Sequence, residues 1–278
     1  FKDGKPVPPY DAAGWTLAMQ MGVEAIRSYD DLKGPFVPLL ERADGGSREV
    51  ATDAAGWRLD PANSHAVTAV NRLLAAKVAV ERDADGTFFV ANTGADRSAA
   101  VAAAVRGLGV LAQPITASTD ELRPQVRQPR LGLFDTFGGT MPTGWDHWTL
   151  LQFAFPVQQV WGDRIAQGDL RKDYDALVFH TGIPGARDLD RAARAGAQAK
   201  DNLAKLKKAL PAFEDWSNLE SRATPLAADT ALPALKQFVA DGGTLIALGG
   251  ECEKVIRHFA LPIKVGTYVK DPKAEGGE

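Results

Sequence analysis

From Trp57 onward the apolar positions fall into short blocks separated by polar turns, and the spacing within each block separates strand from helix. A strand is predicted over 56–59, followed by a helix capped by Asn63 or Ser64 that carries Ala66, Val67, Val70, Leu73 and Leu74 at helical spacing. Strands over 78–81 and 87–90 follow, joined by an Asp-Ala-Asp-Gly turn, and then an Ala- and Val-rich helix over 98–107, capped from Asp96 or Ser98. This makes a small α/β unit over 56–113. A polar, proline-bearing connector over 116–129 leads to a second series. It comprises a strand over 130–135, a glycine-bearing loop from Phe137 to a cap at Thr143, and a helix over 144–155 with Trp145, Trp148, Leu151 and Phe155 on one stripe. An apolar strand over 175–179, a polar helical insertion over 188–210, a helix over 234–240 and a strand over 244–248 complete it. Alternation of strand and helix implies a parallel sheet with right-handed crossovers. The organisation expected is an N-terminal segment with a small α/β domain over 1–125 and a second α/β domain over 126–278. Before residue 50 the chain is rich in Pro and Gly, with one amphipathic stretch over 12–26 (Trp15, Met19, Val23, Ile26) read as an entry segment that packs elsewhere.

Composition narrows the function classes. With 278 residues, 45% hydrophobic and 24% charged, the chain can build one large core or two modest ones. A formal charge of -3, with Lys and Arg scattered among acids, offers no basic field for phosphates, so nucleic acid is not expected as a partner. No stretch has the roughly 20 apolar residues of a membrane helix. The single cysteine, Cys252, forms no internal disulfide and leaves the redox compartment open. The sequence opens at Phe1 with no initiator Met or leader, and is read as a processed or cut chain.

The strand over 244–248 runs into Gly249-Gly250 and then a helix, the kind of turn that presents ligands or nucleophiles at the carboxyl edge of an α/β sheet. Laid on the pattern Gly-x-nucleophile-x-Gly, the stretch Ala247-Leu-Gly-Gly-Glu251 puts Gly249 where the nucleophile belongs. Glycine has nothing to attack with.

Several blocks together resemble the region downstream of the catalytic domain in bacterial zinc-carboxypeptidase-like proteins of the M14 family. They are Pro9-Tyr-Asp-Ala-Ala-Gly-Trp-Thr-Leu-Ala-Met-Gln-Met-Gly-Val23, Asn71-Arg-Leu-Leu74, Gly132-Leu-Phe134 with Gly144-Trp-Asp-His-Trp-Thr-Leu-Leu151, and Leu235-Lys-Gln-Phe-Val-Ala-Asp-Gly-Gly-Thr-Leu-Ile-Ala-Leu-Gly-Gly250. The last two lie in what that family carries as a class I glutamine-amidotransferase-like domain. The resemblance therefore implies a flavodoxin-like, three-layer parallel sheet preceded by the smaller α/β unit, and a secreted or periplasmic setting. It implies no activity here. An M14 peptidase binds zinc through His-x-x-Glu and a distant His, whereas His65, His147, His180 and His258 are followed three residues on by Thr68, Leu150, Ile183 and Leu261. Zinc is expected only in a peptidase domain upstream of Phe1. A glutamine amidotransferase needs an elbow Cys and a late His-x-Glu pair, and the last histidine, His258, is followed two residues on by Ala260.

Each remaining candidate has a plain structural reading beside a functional one. Cys252, near the elbow, is either a nucleophile or a small semi-buried helix residue, and Glu251 and Glu253 beside it oppose thiolate formation. His180 follows a strand and can reach a ligand at the carboxyl edge, or be a loop histidine with no acid partner. Asp146 and His147 suit the first turn of their helix as surface caps, and His65 and His258 suit helix ends. The glycine loops Gly138-Gly139-Thr140 and Gly249-Gly250 are anion-binding candidates or tight turns. Trp15, Trp57, Trp145, Trp148, Trp161 and Trp216 are read as exposed aromatics that pack against a missing domain, or as core. The expectation is an accessory, non-catalytic region with no catalytic, cofactor or metal residues. A strand-edge ligand pocket is placed at Gly138, Gly139, Thr140, His180, Thr181, Gly249, Gly250, Glu251 and Cys252. The partners expected are an upstream peptidase domain and a second copy of the chain; the competing readings are a Cys252-dependent amidase or hydrolase and a small-molecule sensor.

Overall fold

The computed structural model describes residues 18, 24–38, 40, 49–94, 96–116, 123–185 and 189–264, with backbone only for 189–196. The chain divides into two compact units, Phe1–Gln128 and Pro129–Glu278. The amphipathic stretch over 12–26, Trp15 included, falls almost wholly outside the described residues.

In the first unit the order is β1 (Gly56–Leu59), α1 (His65–Ala75), β2 (Glu81–Arg82), β3 (Phe88–Ala91), α2 (Arg97–Val105) and β4 (Gln113–Ile115). The sheet order is β2-β3-β1-β4, and every pairing is antiparallel, so each β-α-β crossover is split by a strand running the other way. Trp57, Leu59, Phe88 and Val90 project from one face onto Ala66, Ala69, Val70 and Leu73 of α1 and Val101 and Ala104 of α2. Trp57, for which the sequence left open an exposed or a core position, is core: it is fully buried, with its indole N–H donated to the Ala51 carbonyl. Asn63 caps α1 by accepting from the His65 N–H at 3.0 Å. At α2 neither expected cap operates: Asp96 stands at the cap position without a side-chain bond, and Ser98 is already helical. The strand expected over 78–81 is only Glu81–Arg82, because Val78 N–H closes α1 on the Leu73 carbonyl and the Val80 carbonyl accepts from Val126.

The second unit is built on β5 (Leu131–Phe134), α3 (Met141–Gln152), β6 (Val157–Val160), α4 (Gly162–Ala166), α5 (Leu170–Asp173), β7 (Ala176–Phe179), α6 (Leu189–Ala209), α7 (Trp216–Arg222), α8 (Ala228–Ala240), β8 (Thr244–Ala247) and α9 (Glu251–His258). The four strands are parallel in the order β6-β5-β7-β8. From β5 the chain goes outward to β6 on one side and returns to β7 on the other, so the direction of winding reverses between β5 and β7. At such a reversal the loops after the two strands part and leave a crevice. The core beneath the crevice joins Phe134, Leu177 and Phe179 from the sheet to Ile165 of α4, Leu170 of α5, and Ala231, Leu235 and Phe238 of α8. Phe134 and Phe179 stack with centroids 4.9 Å apart.

Two edge strands, β4 and β6, escape the sequence pattern. Pro114 interrupts one and Gln158-Gln159 the other, and an edge strand needs neither a full donor row nor two apolar faces. The helix expected over 234–240 begins at Ala228, with Pro233 inside it rather than at its start. The helix expected over 144–155 spans Met141–Gln152 instead. Its cap is Thr140, which accepts from the Thr143 N–H, and Thr143 lies fully buried behind that cap. The strand base of β7 is held by Asp175, whose carboxylate takes Arg130 at 2.8 Å and Arg171 at 2.7 Å, and these guanidinium partners hold it well below the usual carboxylate range.

Candidate functional site: the crevice at the carboxyl edge of the parallel sheet

A cavity of about 500 Å³ opens where the winding reverses, a volume in the range of small-molecule sites. Its apolar walls are Phe134, Phe137, Ile183, Pro184, Pro225 and Leu226, and its polar lining is Asp135, Thr136, Thr140, Thr181, Glu251 and Lys254. Of the nine residues proposed from sequence, Thr140, Thr181 and Glu251 line it. Gly138 and Gly139 form the turn behind it, in which Gly139 N–H donates to the Thr136 carbonyl. His180, Gly249, Gly250 and Cys252 stand at the same carboxyl edge but outside the cavity lining.

The loop after β7 is fixed at four of its first five residues. His180 Nδ1 lies 2.6 Å from Asp146 Oδ2 of α3. Gly182 adopts φ +91°, and an added Cβ would come within 2.2 Å of the Phe134 ring, so only glycine fits. Ile183 N–H donates to the Glu251 carboxylate at 2.7 Å, and the Pro184 carbonyl is bonded to His258 Nε2. Backbone held this way forms one wall of the crevice without a ligand having to order it, which lowers the cost of binding.

These contacts revise three readings of the sequence. His180 does have an acid partner, Asp146, which the sequence hides because the two residues are 34 positions apart. Asp146 is not a first-turn surface cap: α3 begins at Met141, which puts Asp146 a turn further in, on the side facing β7. Glu251, read as a neighbour of the thiol, turns inward, 6% exposed, to Ile183 N–H and to Lys254 at 2.9 Å. The thiol reading also changes. Cys252 is exposed, not semi-buried, and Sγ donates to the Ala247 carbonyl at 3.2 Å.

At the turn after β8, Gly249 has φ +55°, and a Cβ built there would sit 3.4 Å from His180 Nε2. The imidazole therefore faces the place where an elbow side chain would project, and glycine leaves that place without one.

Asp135 is the residue that sequence reasoning missed. It ends the apolar strand β5, is only 5% exposed, and lines the cavity. Its Oδ1 accepts from Thr136 N–H at 2.8 Å. Burial pushes its pKa up, against the opposing pull of the Thr136 and Thr140 amides and of His147. The available signal was an acid at the carboxyl end of a buried strand, immediately before a glycine loop. Among the described residues, no group of three or more His, Cys, Asp or Glu is arranged to hold a metal, and no helix is long and apolar enough to cross a membrane. No protein-family model, curated protein or solved structure matches this chain.

Proposed function

We propose that the chain is an accessory, ligand-holding region of a zinc-carboxypeptidase-like protein, with a flavodoxin-like, amidotransferase-like second unit and the peptidase domain elsewhere in the parent. The observation that carries the ligand-holding part is the preformed cavity of about 500 Å³ at the winding reversal, with its walls pinned by Asp146, Glu251 and His258. Support for a non-hydrolytic role comes from Gly249 at the elbow position and from the thiol bonded to a carbonyl rather than to a base. The link to a peptidase rests on the sequence blocks that resemble that family. The purified chain is expected to leave amide and ester reporters uncleaved, while a small-molecule screen by thermal shift raises Tm for compounds that Thr181→Leu then rejects. Turnover lost on Cys252→Ala, or a screen without a single cavity-dependent hit, overturns the reading.

A second reading has a specific observation behind it. The Asp146–His180 pair has the form of a base oriented by a carboxylate, with Nε2 facing the Gly249 turn. If it serves a hydrolase, the missing nucleophile comes from water or from Cys252. Saturable electrophile labelling of Cys252 near neutral pH that falls in Asp146→Asn favours this reading; labelling at the rate of a free thiol rejects it.

A further inference from the structure

We propose that the crevice of the second unit takes a small organic amine, its ammonium group on the Asp135 carboxylate and its apolar body against Phe137 and Ile183. This rests on the reading of the crevice as a ligand site and names the class of ligand.

Among the described residues, the charges in the lining are Asp135, Glu251 and Lys254. Glu251 and Lys254 neutralise each other at 2.9 Å, and Glu251 takes the Ile183 N–H as well. Among the described residues that leaves Asp135 as the charge without an ion-pair partner: no described Lys or Arg pairs with it, and His147 of α3, a cation only when protonated, acts on it at a distance. A carboxylate this deep is costly to keep ionised unless a positive charge or strong donors reach it. Thr136 and Thr140 amides supply part of that need, and burial still outweighs them. An incoming ammonium supplies the rest as a charge-assisted hydrogen bond, roughly twice as strong as a neutral one. Thr136 and Thr181 line the same cavity and carry hydroxyl acceptors for its other two N–H donors. A metal ion fits less well, because one carboxylate with hydroxyls and no second acid free is short of the six or so oxygen ligands that hard cations take. An anionic ligand would meet Asp135 across an apolar cavity with Lys254 already engaged.

The test uses the whole chain and four probes of similar body: 2-phenylethylamine, hexylamine, 2-phenylethanol and 3-phenylpropanoate, titrated calorimetrically. The amines are expected to bind at least ten-fold more tightly than the alcohol, and the acid weakest. Asp135→Asn should remove that ten-fold preference while keeping the far-UV spectrum of the parent, and Thr181→Leu should block every probe by filling the space. As pH falls through the raised pKa of Asp135, amine binding should release protons, seen as a dependence of the heat on the buffer's ionisation enthalpy, and that dependence should vanish in Asp135→Asn. If the alcohol or the acid binds as well as the amines, or Asp135→Asn leaves the preference intact, the amine inference is overturned while the ligand-site reading stands. If no probe or library compound binds, both fall.

Discussion

At the scale of single residues, the crevice sets stability against binding. Asp135 is buried with its pKa raised, so in the folded state it holds its proton to higher pH than in the unfolded chain. The sign follows directly: above the ordinary aspartate value of about 4, the unfolded state gives up this proton more readily, and stability falls as pH rises through the folded pKa. Asp135→Asn should flatten that fall and melt no lower than the parent at pH 7, an outcome read from Tm against pH; a melting point several degrees lower there would mean the carboxylate is needed by the fold itself. Gly182 is the opposite case. It combines a left-handed φ with a Cβ position 2.2 Å from the Phe134 ring, which is itself stacked on Phe179 in the core. Gly182→Ala should cost more than about 2 kcal/mol in denaturant melts, since strain and overpacking add at one site. Gly249→Ala meets only the edge of the His180 ring and should cost about 1 kcal/mol, from its φ alone.

At the scale of elements, helix α3 shows what the sequence pattern can and cannot reveal. The stripe Trp145, Trp148, Leu151 reads equally as core or as an exposed aromatic face; these residues are 62%, 54% and 51% exposed, and the face turned inward is Thr143, Asp146, His147 and Leu150. Periodicity gives a helix two faces without saying which one meets the sheet, and here the inward face is marked by two polar contacts, the local Thr140–Thr143 cap and the long-range Asp146–His180 bond. The two indoles pack edge to face, 5.8 Å apart, on the outer side. Replacing both Trp145 and Trp148 by Gln should therefore change the unfolding free energy by no more than about 0.5–1 kcal/mol and remove most of the acrylamide-quenchable emission. A loss of several kcal/mol would mean that the stripe is covered in solution. Where apolar blocks are continuous the sequence reading succeeds: β5, β7, β8 and the two helices of the first unit lie within a few residues of expectation. It fails at Pro114 and Gln158-Gln159, where edge strands need no apolar run, and at His180 and Asp146, whose meeting depends on the crossover between β5 and β7. The crevice was half legible for the same reason: strand ends and glycine turns are local signals, while the closing wall at Pro225 and Leu226 comes from a distant part of the chain.

At the scale of the whole molecule, each unit carries its own sheet and its own buried cluster, centred on Trp57, Leu59 and Val90 in the first and on Phe134, Leu177 and Phe238 in the second. Hydrophobic burial is the main force favouring the folded state, so a unit that closes its own core needs no other to fold. The division after Gln128 is therefore where the chain should be separable. A fragment of residues 49–128 and one of 129–278 are each expected to melt cooperatively, with far-UV spectra that sum to that of a chain of residues 49–278. The first should be the less stable, because a domain of its size buries a smaller fraction of its surface. Its only tryptophan is Trp57, fully buried and bonded through its indole N–H, so its emission should lie to the blue and shift red in one step on heating. A fragment 49–128 whose Trp57 emits as in water from the start would show that this core depends on the rest of the chain, and the two units would then have to be treated as one folding body.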